Sequence, residues 1–198
     1  FARLPIVNIS AYKNQPFIYK DFILVFNGEL YNHIEIRKYI QENFKIQFKT
    51  NSDCEVFLKG FLSLGPKEFF KKARGMWAYV ITDNNGNIYW GRDEYGIKPL
   101  YKKKDSSNYY FSSSQRALLD CISNEGINHD QLRNFLLTGY QNPNKFSFYN
   151  NFDLVLPGYC YSFSKNKNLE EKKFCPFEDD SLMNESVREI MNQVFISQ

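Results

Sequence analysis

The spacing of apolar positions changes several times along the chain, and each change predicts an element. Phe22-Ile-Leu-Val-Phe26 is a run of strand formers that ends on the turn-prone Asn27-Gly28-Glu29, so a strand running into a loop is expected there. Asn32 and Glu35 resemble a capping box, and Ile36, Tyr39, Ile40 and Phe44 share one face behind it, which predicts a helix over 33–44. Ser52-Asp53-Cys54-Glu55 is a second box, placed before Val56, Leu58, Phe61 and Leu62, and predicts a helix over 53–64. Residues 76–82 and 88–91 flank Asp83-Asn84-Asn85-Gly86 and form an expected hairpin. Further on, the pattern predicts a strand over 109–112, helices over 115–121 and 130–137, and a strand over 159–163.

Past Pro157-Gly158 the character shifts to a polar Lys/Asn/Glu stretch over 164–173, which is expected as a domain edge. Val187, Ile190, Met191, Val194 and Phe195 then sit at helical spacing with no later segment to cover them. The expected division is therefore a first domain over 1–163, with 164–198 as a linker and the first helix of a second domain.

A chain of 198 residues with 43% apolar and 24% charged side chains has the composition of a globule with one sizeable core, not of a disordered tail, a collagen or a coiled-coil rod. With 25 basic against 22 acidic residues the balance is only +3, and the runs at Lys71-Lys72 and Lys102-Lys103-Lys104 are short, so nucleic acid is not an expected partner. The apolar run 22–26 is far shorter than the roughly 20 residues of a membrane span, so no membrane role is expected. Cys54, Cys121, Cys160 and Cys175 contain no C-x-x-C pair, a usage that fits reduced thiols in the cytoplasm.

Candidate chemistry gathers at Arg3, at Asn27-Gly28-Glu29 and at Ser52-Asp53-Cys54-Glu55. Each has a plain alternative: a surface charge, a common turn dipeptide, and an acid placed by the helix dipole. A thiol in a first helical turn such as Cys54 can become nucleophilic, but nothing places His33 or His129 beside it as a base, and a quiet packing role is expected. Neither histidine has a metal-ligand spacing, so no metal is expected. Gly91-Arg92-Asp93-Glu94-Tyr95-Gly96 lacks the spacing of a phosphate loop.

The order of the clusters says more than each alone. Arg3-Leu4-Pro5-Ile6-Val7, Val25-Phe26-Asn27-Gly28-Glu29-Leu30-Tyr31-Asn32, Thr50-Asn51-Ser52-Asp53-Cys54-Glu55-Val56, Gly75-Met76-Trp77-Ala78 and Gly91-Arg92-Asp93-Glu94-Tyr95-Gly96-Ile97-Lys98-Pro99-Leu100-Tyr101 follow one another in register. Together they resemble the class II glutamine amidotransferase domain of glutamine-hydrolysing asparagine synthetases. The resemblance implies an α+β fold of N-terminal-nucleophile hydrolase type, a four-layer αββα sandwich of two antiparallel sheets. Its first strands would precede residue 1, and an α/β synthetase domain would begin at the other end.

In such domains an N-terminal cysteine attacks the glutamine side-chain amide, and the ammonia released passes to an ATP-activated carboxylate, aspartate in this family. Carried over by position, Asn27 (side-chain amide) and Gly28 (backbone N–H) match the oxyanion hole, which needs two fixed donors. Arg3 matches the grip on the glutamine α-carboxylate, a task suited to the guanidinium fork. Glu29 and Asp53 match the groups near its α-ammonium, and Ile6 and Val7 match backbone positions lining the pocket. The nucleophilic cysteine, followed by glycine, would stand several tens of residues before Arg3, where this chain has only Phe1-Ala2. The 198 residues alone are therefore expected to be inactive. They are expected to need no cofactor, with ATP and Mg2+ serving the synthetase domain. Glutamine is the expected partner, joined by aspartate and ATP in the complete protein, and a homodimer is the expected assembly. Two other readings remain open: a non-catalytic glutamine-binding module, and a related amidotransferase with another acceptor, such as a sugar. Ser114 departs from the family pattern, which usually has glutamate there.

Overall fold

The computed structural model describes residues 15–105, 108–121, 126–139, 147–164 and 167–173. The elements in chain order are β1 (Phe17–Tyr19), β2 (Phe22–Leu30), α1 (His33–Phe44), α2 (Asp53–Lys72), β3 (Gly75–Asp83), β4 (Ile88–Arg92), β5 (Tyr101–Lys104), β6 (Tyr109–Ser112), α3 (Gln115–Cys121), α4 (His129–Thr138), β7 (Asp153–Leu154), β8 (Tyr159–Ser164) and β9 (Lys167–Lys173). They build two antiparallel sheets, one in the order β1-β2-β3-β4-β8-β9 and one in the order β6-β5-β7. Among the described residues no helix is long and apolar enough to cross a membrane.

Period-two alternation gives the large sheet two apolar faces. Leu24, Phe26, Leu30, Trp77, Tyr79, Ile81 and Cys160 face α1 and α2, where they meet Ile36, Ile40, Phe57, Phe61, Phe69 and Phe70. Ala78, Trp90 and Tyr161 face the other way, toward Tyr109 and Phe111 of the small sheet. Helix, large sheet and small sheet thus form successive layers, and α3 packs against β6. Phe57 is fully buried at the centre of the first core, its ring 4.8 Å from Phe26, 5.0 Å from Phe69 and 5.2 Å from Tyr79.

The structure corrects four expectations. Asn27-Gly28-Glu29 is not a loop: β2 runs on to Leu30, because β3 pairs with it from Phe22↔Asp83 through to Leu30↔Gly75. Helix α2 does not stop at residue 64; it breaks at Gly65 (φ +74°) and resumes with Pro66, a residue that suits a first helical turn. Neither capping box closes as expected. The Asn32 side chain donates to Lys72 C=O at 2.9 Å and accepts from Arg74 N–H at 2.9 Å, tying α1 to the α2–β3 junction, while Glu55 turns toward the preceding loop. Finally, the stretch expected as a linker holds β9, which pairs with β8 and extends the large sheet. The amphipathic segment 185–195 lies outside the described residues. Strands β1 and β7 carry too few residues for their pattern to announce them, and β5, Tyr101 followed by three lysines, has no apolar alternation to read.

Candidate active site

The edge of β2 organises the site. Gln15 stands where a neighbouring strand would: its Oε1 accepts from Phe26 N–H at 2.6 Å and its Nε2 donates to Phe26 C=O at 2.5 Å. Both backbone groups of Phe26 therefore face away from β3, and in an antiparallel strand that orientation recurs at every second residue. Leu30 obeys this, since its N–H is taken on the outer side by Asp53 Oδ2 at 3.2 Å. Trp77, opposite Gly28, turns its own backbone toward Asp93, donating to Oδ2 at 3.2 Å and accepting from Asp93 N–H at 2.8 Å. The N–H of Gly28 is thus left pointing outward between two satisfied neighbours. Among the described residues no strand pairs with β2 there, because β1 reaches only Leu24.

Glycine is required at that point. Residue 28 has φ +150°, and a Cβ would lie 2.0 Å from Met76 O and 2.6 Å from Trp77 Cα. The adjacent strand comes so close that any side chain would push it away.

Asn27 and Glu29 leave β2 on the face turned toward the small sheet, opposite to Phe26 and Leu30. Asn27 is exposed, and its Nδ2 donates to Ser113 Oγ at 3.0 Å, just beyond the end of β6. Glu29 is half-buried, and among the described residues its carboxylate has no hydrogen-bond partner. An amide donor, an outward backbone N–H and an open carboxylate thus occupy three consecutive residues of one strand.

Asp53 approaches the same edge from the start of α2. It is 4% exposed, with Oδ1 accepting from Cys54 N–H at 2.9 Å and Oδ2 from Leu30 N–H; a carboxylate retains further lone pairs beyond these two bonds. The loop before it is pinned by Glu55, which accepts from Lys49 N–H at 2.8 Å, from Thr50 N–H at 2.7 Å and from Thr50 Oγ1 at 2.6 Å. Lys59 completes the network, with Nζ 2.7 Å from Glu55 Oε1, 2.5 Å from Gln47 C=O and over the Tyr19 and Phe48 rings. Burial pushes the Glu55 carboxyl up, but the bonds from Lys59, Thr50 and Lys49 outweigh it and hold it below its ordinary value. Cys54 is buried, with Gln15 Nε2 3.7 Å from its Sγ, in a packed position rather than at the open edge.

Behind β3 the Gly91–Leu100 motif forms a latch. Arg92 donates to Lys98 C=O at 2.6 Å, to Val155 C=O at 2.8 Å and to Gly96 C=O. Asp93 accepts from the N–H groups of Tyr95, Ile97 and Lys98 as well as Trp77. Both residues were legible as part of the motif, but their structural task was not. A shallow surface depression bounded by Phe70, Trp77, Arg92, Glu94 and Tyr159 includes none of the residues expected at the site.

Asn27, Gly28, Glu29 and Asp53 are therefore brought to one strand edge. Arg3, Ile6 and Val7 lie outside the described residues. Sequence reasoning missed Ser113 and Gln15, whose roles depend on contacts 86 and 11 residues away. Ser114 is exposed at the start of α3, where its N–H is held by Ser112 Oγ at 3.0 Å.

Two antiparallel sheets packed face to face, with helices on the outer face of one, make this an α+β fold. A glutamine phosphoribosylpyrophosphate amidotransferase from B. subtilis shares that fold, with a TM-score of 0.53 at 20% identity over 81% of this chain and 32% of that one. The family model described as a glutamine amidotransferase domain matches residues 1–175, and the chain belongs to that family. Its curated relatives include a putative glutamine-hydrolysing asparagine synthetase from Methanocaldococcus jannaschii, 31% identical over 86% of this chain and 40% of the relative. Asparagine synthetase 1 from Bacillus subtilis is 34% identical over 69% of this chain, and asparagine synthetase B from Escherichia coli 38% identical over 59%. The chain spans only 40%, 22% and 21% of the lengths of these three relatives.

Proposed function

We propose that this chain is the glutamine-hydrolysing part of a glutamine-dependent asparagine synthetase. It would release glutamate and ammonia, and the ammonia would pass to an ATP-activated aspartate in a synthetase domain. The observation that carries the reading is the outward Gly28 N–H beside the Asn27 amide on one strand edge. When a thiolate adds to the glutamine amide carbon, the carbonyl oxygen gains negative charge, and two fixed donors there stabilise it. Glu29 and Asp53 supply negative charge for the substrate α-ammonium, and Arg3 supplies the fork for its α-carboxylate. Ile6 and Val7 would line the same pocket through their backbones.

Cys54 and Cys160 are both buried and neither is taken as the attacking thiol, so the 198 residues by themselves are expected to bind glutamine without turnover. The glutamine-handling unit is taken to reach Lys173, because β9 belongs to the large sheet. ATP and Mg2+ serve the synthetase step, outside this unit. The test is glutamate and ammonia release by the protein as its gene encodes it, run beside calorimetry of the 198-residue chain with glutamine. Turnover by the first and saturable binding by the second are expected. Binding by both without any product would replace this reading with that of a binding module.

A further inference from the structure

Asn27 is useful as an oxyanion donor only if its carboxamide is held the right way round, because the amide torsion at the end of the side chain is soft and roughly two-fold. Nothing in β2 itself holds it: Asn27 is exposed, and its strand neighbours Val25 and Glu29 are respectively exposed and half-buried. The only hydrogen bond to its side chain among the described residues comes from across the gap between the two sheets, where Ser113 Oγ accepts from Nδ2 at 3.0 Å. Ser113 is itself fixed. It lies between Ser112, the last residue of β6, and Ser114, whose N–H is tied to Ser112 Oγ at 3.0 Å and whose C=O accepts from Leu118 N–H at the start of α3.

We propose that Ser113 is the positioning residue that sets the Asn27 carboxamide for glutamine hydrolysis. A serine hydroxyl can accept from an amide N–H or donate to an amide oxygen; here Ser113 Oγ accepts from Nδ2, and the contact holds the carboxamide with its nitrogen toward the small sheet. It consumes one of the two N–H bonds of that nitrogen and leaves the second for the oxyanion. The contact also links the two sheets at the site, so the donor pair depends on their spacing. This inference rests on the glutaminase reading and adds a residue that the order of motifs does not contain.

The test is a cycle in the protein as its gene encodes it, with Ser113→Ala, Asn27→Ala and the double variant, plus Ser113→Thr, followed by glutamine-dependent kcat and KM and by the melting temperature. Ser113→Ala is expected to lower kcat about 10-fold, the value of one hydrogen bond, with KM within about 2-fold. Ser113→Thr keeps the hydroxyl and is expected to restore most of the loss. The double variant is expected to be no worse than Asn27→Ala alone, since Ser113 acts through Asn27. Losses that multiply, or an unchanged kcat in Ser113→Ala while Asn27→Ala is crippled, overturn the role of Ser113 and leave the glutaminase reading standing. A fall in kcat that follows the melting temperature also overturns it. Normal turnover in Asn27→Ala would overturn the oxyanion role of Asn27 and the role of Ser113 with it, whereas absence of glutamine turnover in the parent protein would overturn the glutaminase reading itself.

Discussion

Asp53 and Leu30 are joined across the helix–strand boundary: the buried carboxylate at the start of α2 accepts the outer-edge N–H at the end of β2, at 3.2 Å. The bond gives one side chain two tasks. It closes a backbone donor that would otherwise be buried and unpaired, and it fixes the carboxylate on the edge where glutamine is proposed to lie.

The two tasks separate by substitution. Asp53→Asn keeps one carbonyl oxygen for Leu30 N–H, turns an NH2 toward Cys54 N–H, from which Ser52 Oγ still accepts, and removes the charge, so the glutamine KM is expected to rise at least about 10-fold with a stability loss of about 1 kcal/mol. Asp53→Ala loses both, and is expected to cost a further 1–3 kcal/mol or so of folding free energy for the orphaned N–H. Urea unfolding beside glutamine titration reads the two effects, and an unchanged KM in Asp53→Asn would remove Asp53 from substrate binding.

Asn27→Ala is expected to lower glutamine-dependent kcat by about 10²-fold or more, the usual loss for one oxyanion donor. Ammonia-dependent synthesis belongs to a different active site in the proposed scheme and is expected to persist. Parallel loss of both activities would mean that the substitution acts on the fold.

Gly28→Ala tests the strand edge sterically. Its Cβ would meet Met76 O at 2.0 Å, and backbone cannot yield as a flexible side-chain tip can. Destabilisation of about 1–3 kcal/mol is expected from overpacking, together with loss of turnover as the 28 N–H shifts. A wild-type melting temperature with wild-type turnover would contradict both the contact and the role.

Why some of this was legible in the chain and some was not follows from the range of the interactions. Helix α1, the hairpin of β3 and β4, and α4 with its Asn128 cap, whose Oδ1 accepts from Gln131 N–H at 3.1 Å, are fixed by neighbours in sequence, so their residues announce them. Asn27-Gly28 reads as a turn because that dipeptide favours one locally; pairing with Ala78 and Trp77, some fifty residues on, keeps it extended instead. Glu55 reads as a cap partner for Ser52, yet the buried Lys59 and the loop over 47–50 draw it the other way. The residues proposed for the site are named through the order of their motifs. The contact that orients one of them, Asn27 to Ser113, spans 86 positions and left no pattern to read.

Arg92→Lys keeps the charge and discards the fork. The guanidinium reaches three carbonyls, those of Lys98, Val155 and Gly96, whose positions close the 93–98 loop and anchor it to the segment before β8. One ammonium cannot span all three, and loss of about 3 kcal/mol of stability is expected from the charged bonds given up. Chemical denaturation would measure it, and a loss below about 0.5 kcal/mol, ordinary for a surface change, would show that the loop holds without the latch.

The buried Glu55–Lys59 pair makes a prediction about acid. Bonds from Lys59, Thr50 and Lys49 hold the folded-state carboxyl of Glu55 below its ordinary 4.5, while in the unfolded chain it returns to that value. A carboxyl with a depressed folded pKa contributes stability that is fully present above its unfolded pKa and is lost as pH falls through the folded one. The unfolding free energy is therefore expected to decline from pH 4.5 downward, and the loop over 47–52, which leads into Asp53, to loosen with it. Glu55→Gln should flatten that decline. It should also cost about 3–5 kcal/mol at neutral pH, because Lys59 would stay buried without its counter-charge. Glu55→Gln with Lys59→Met removes both charges and should recover much of the loss, since a matched apolar replacement leaves no charge uncompensated. Unfolding curves of the three proteins between pH 3 and pH 7 decide it. An acid-dependent decline as steep in the double variant as in the parent would assign the acid sensitivity to other carboxylates.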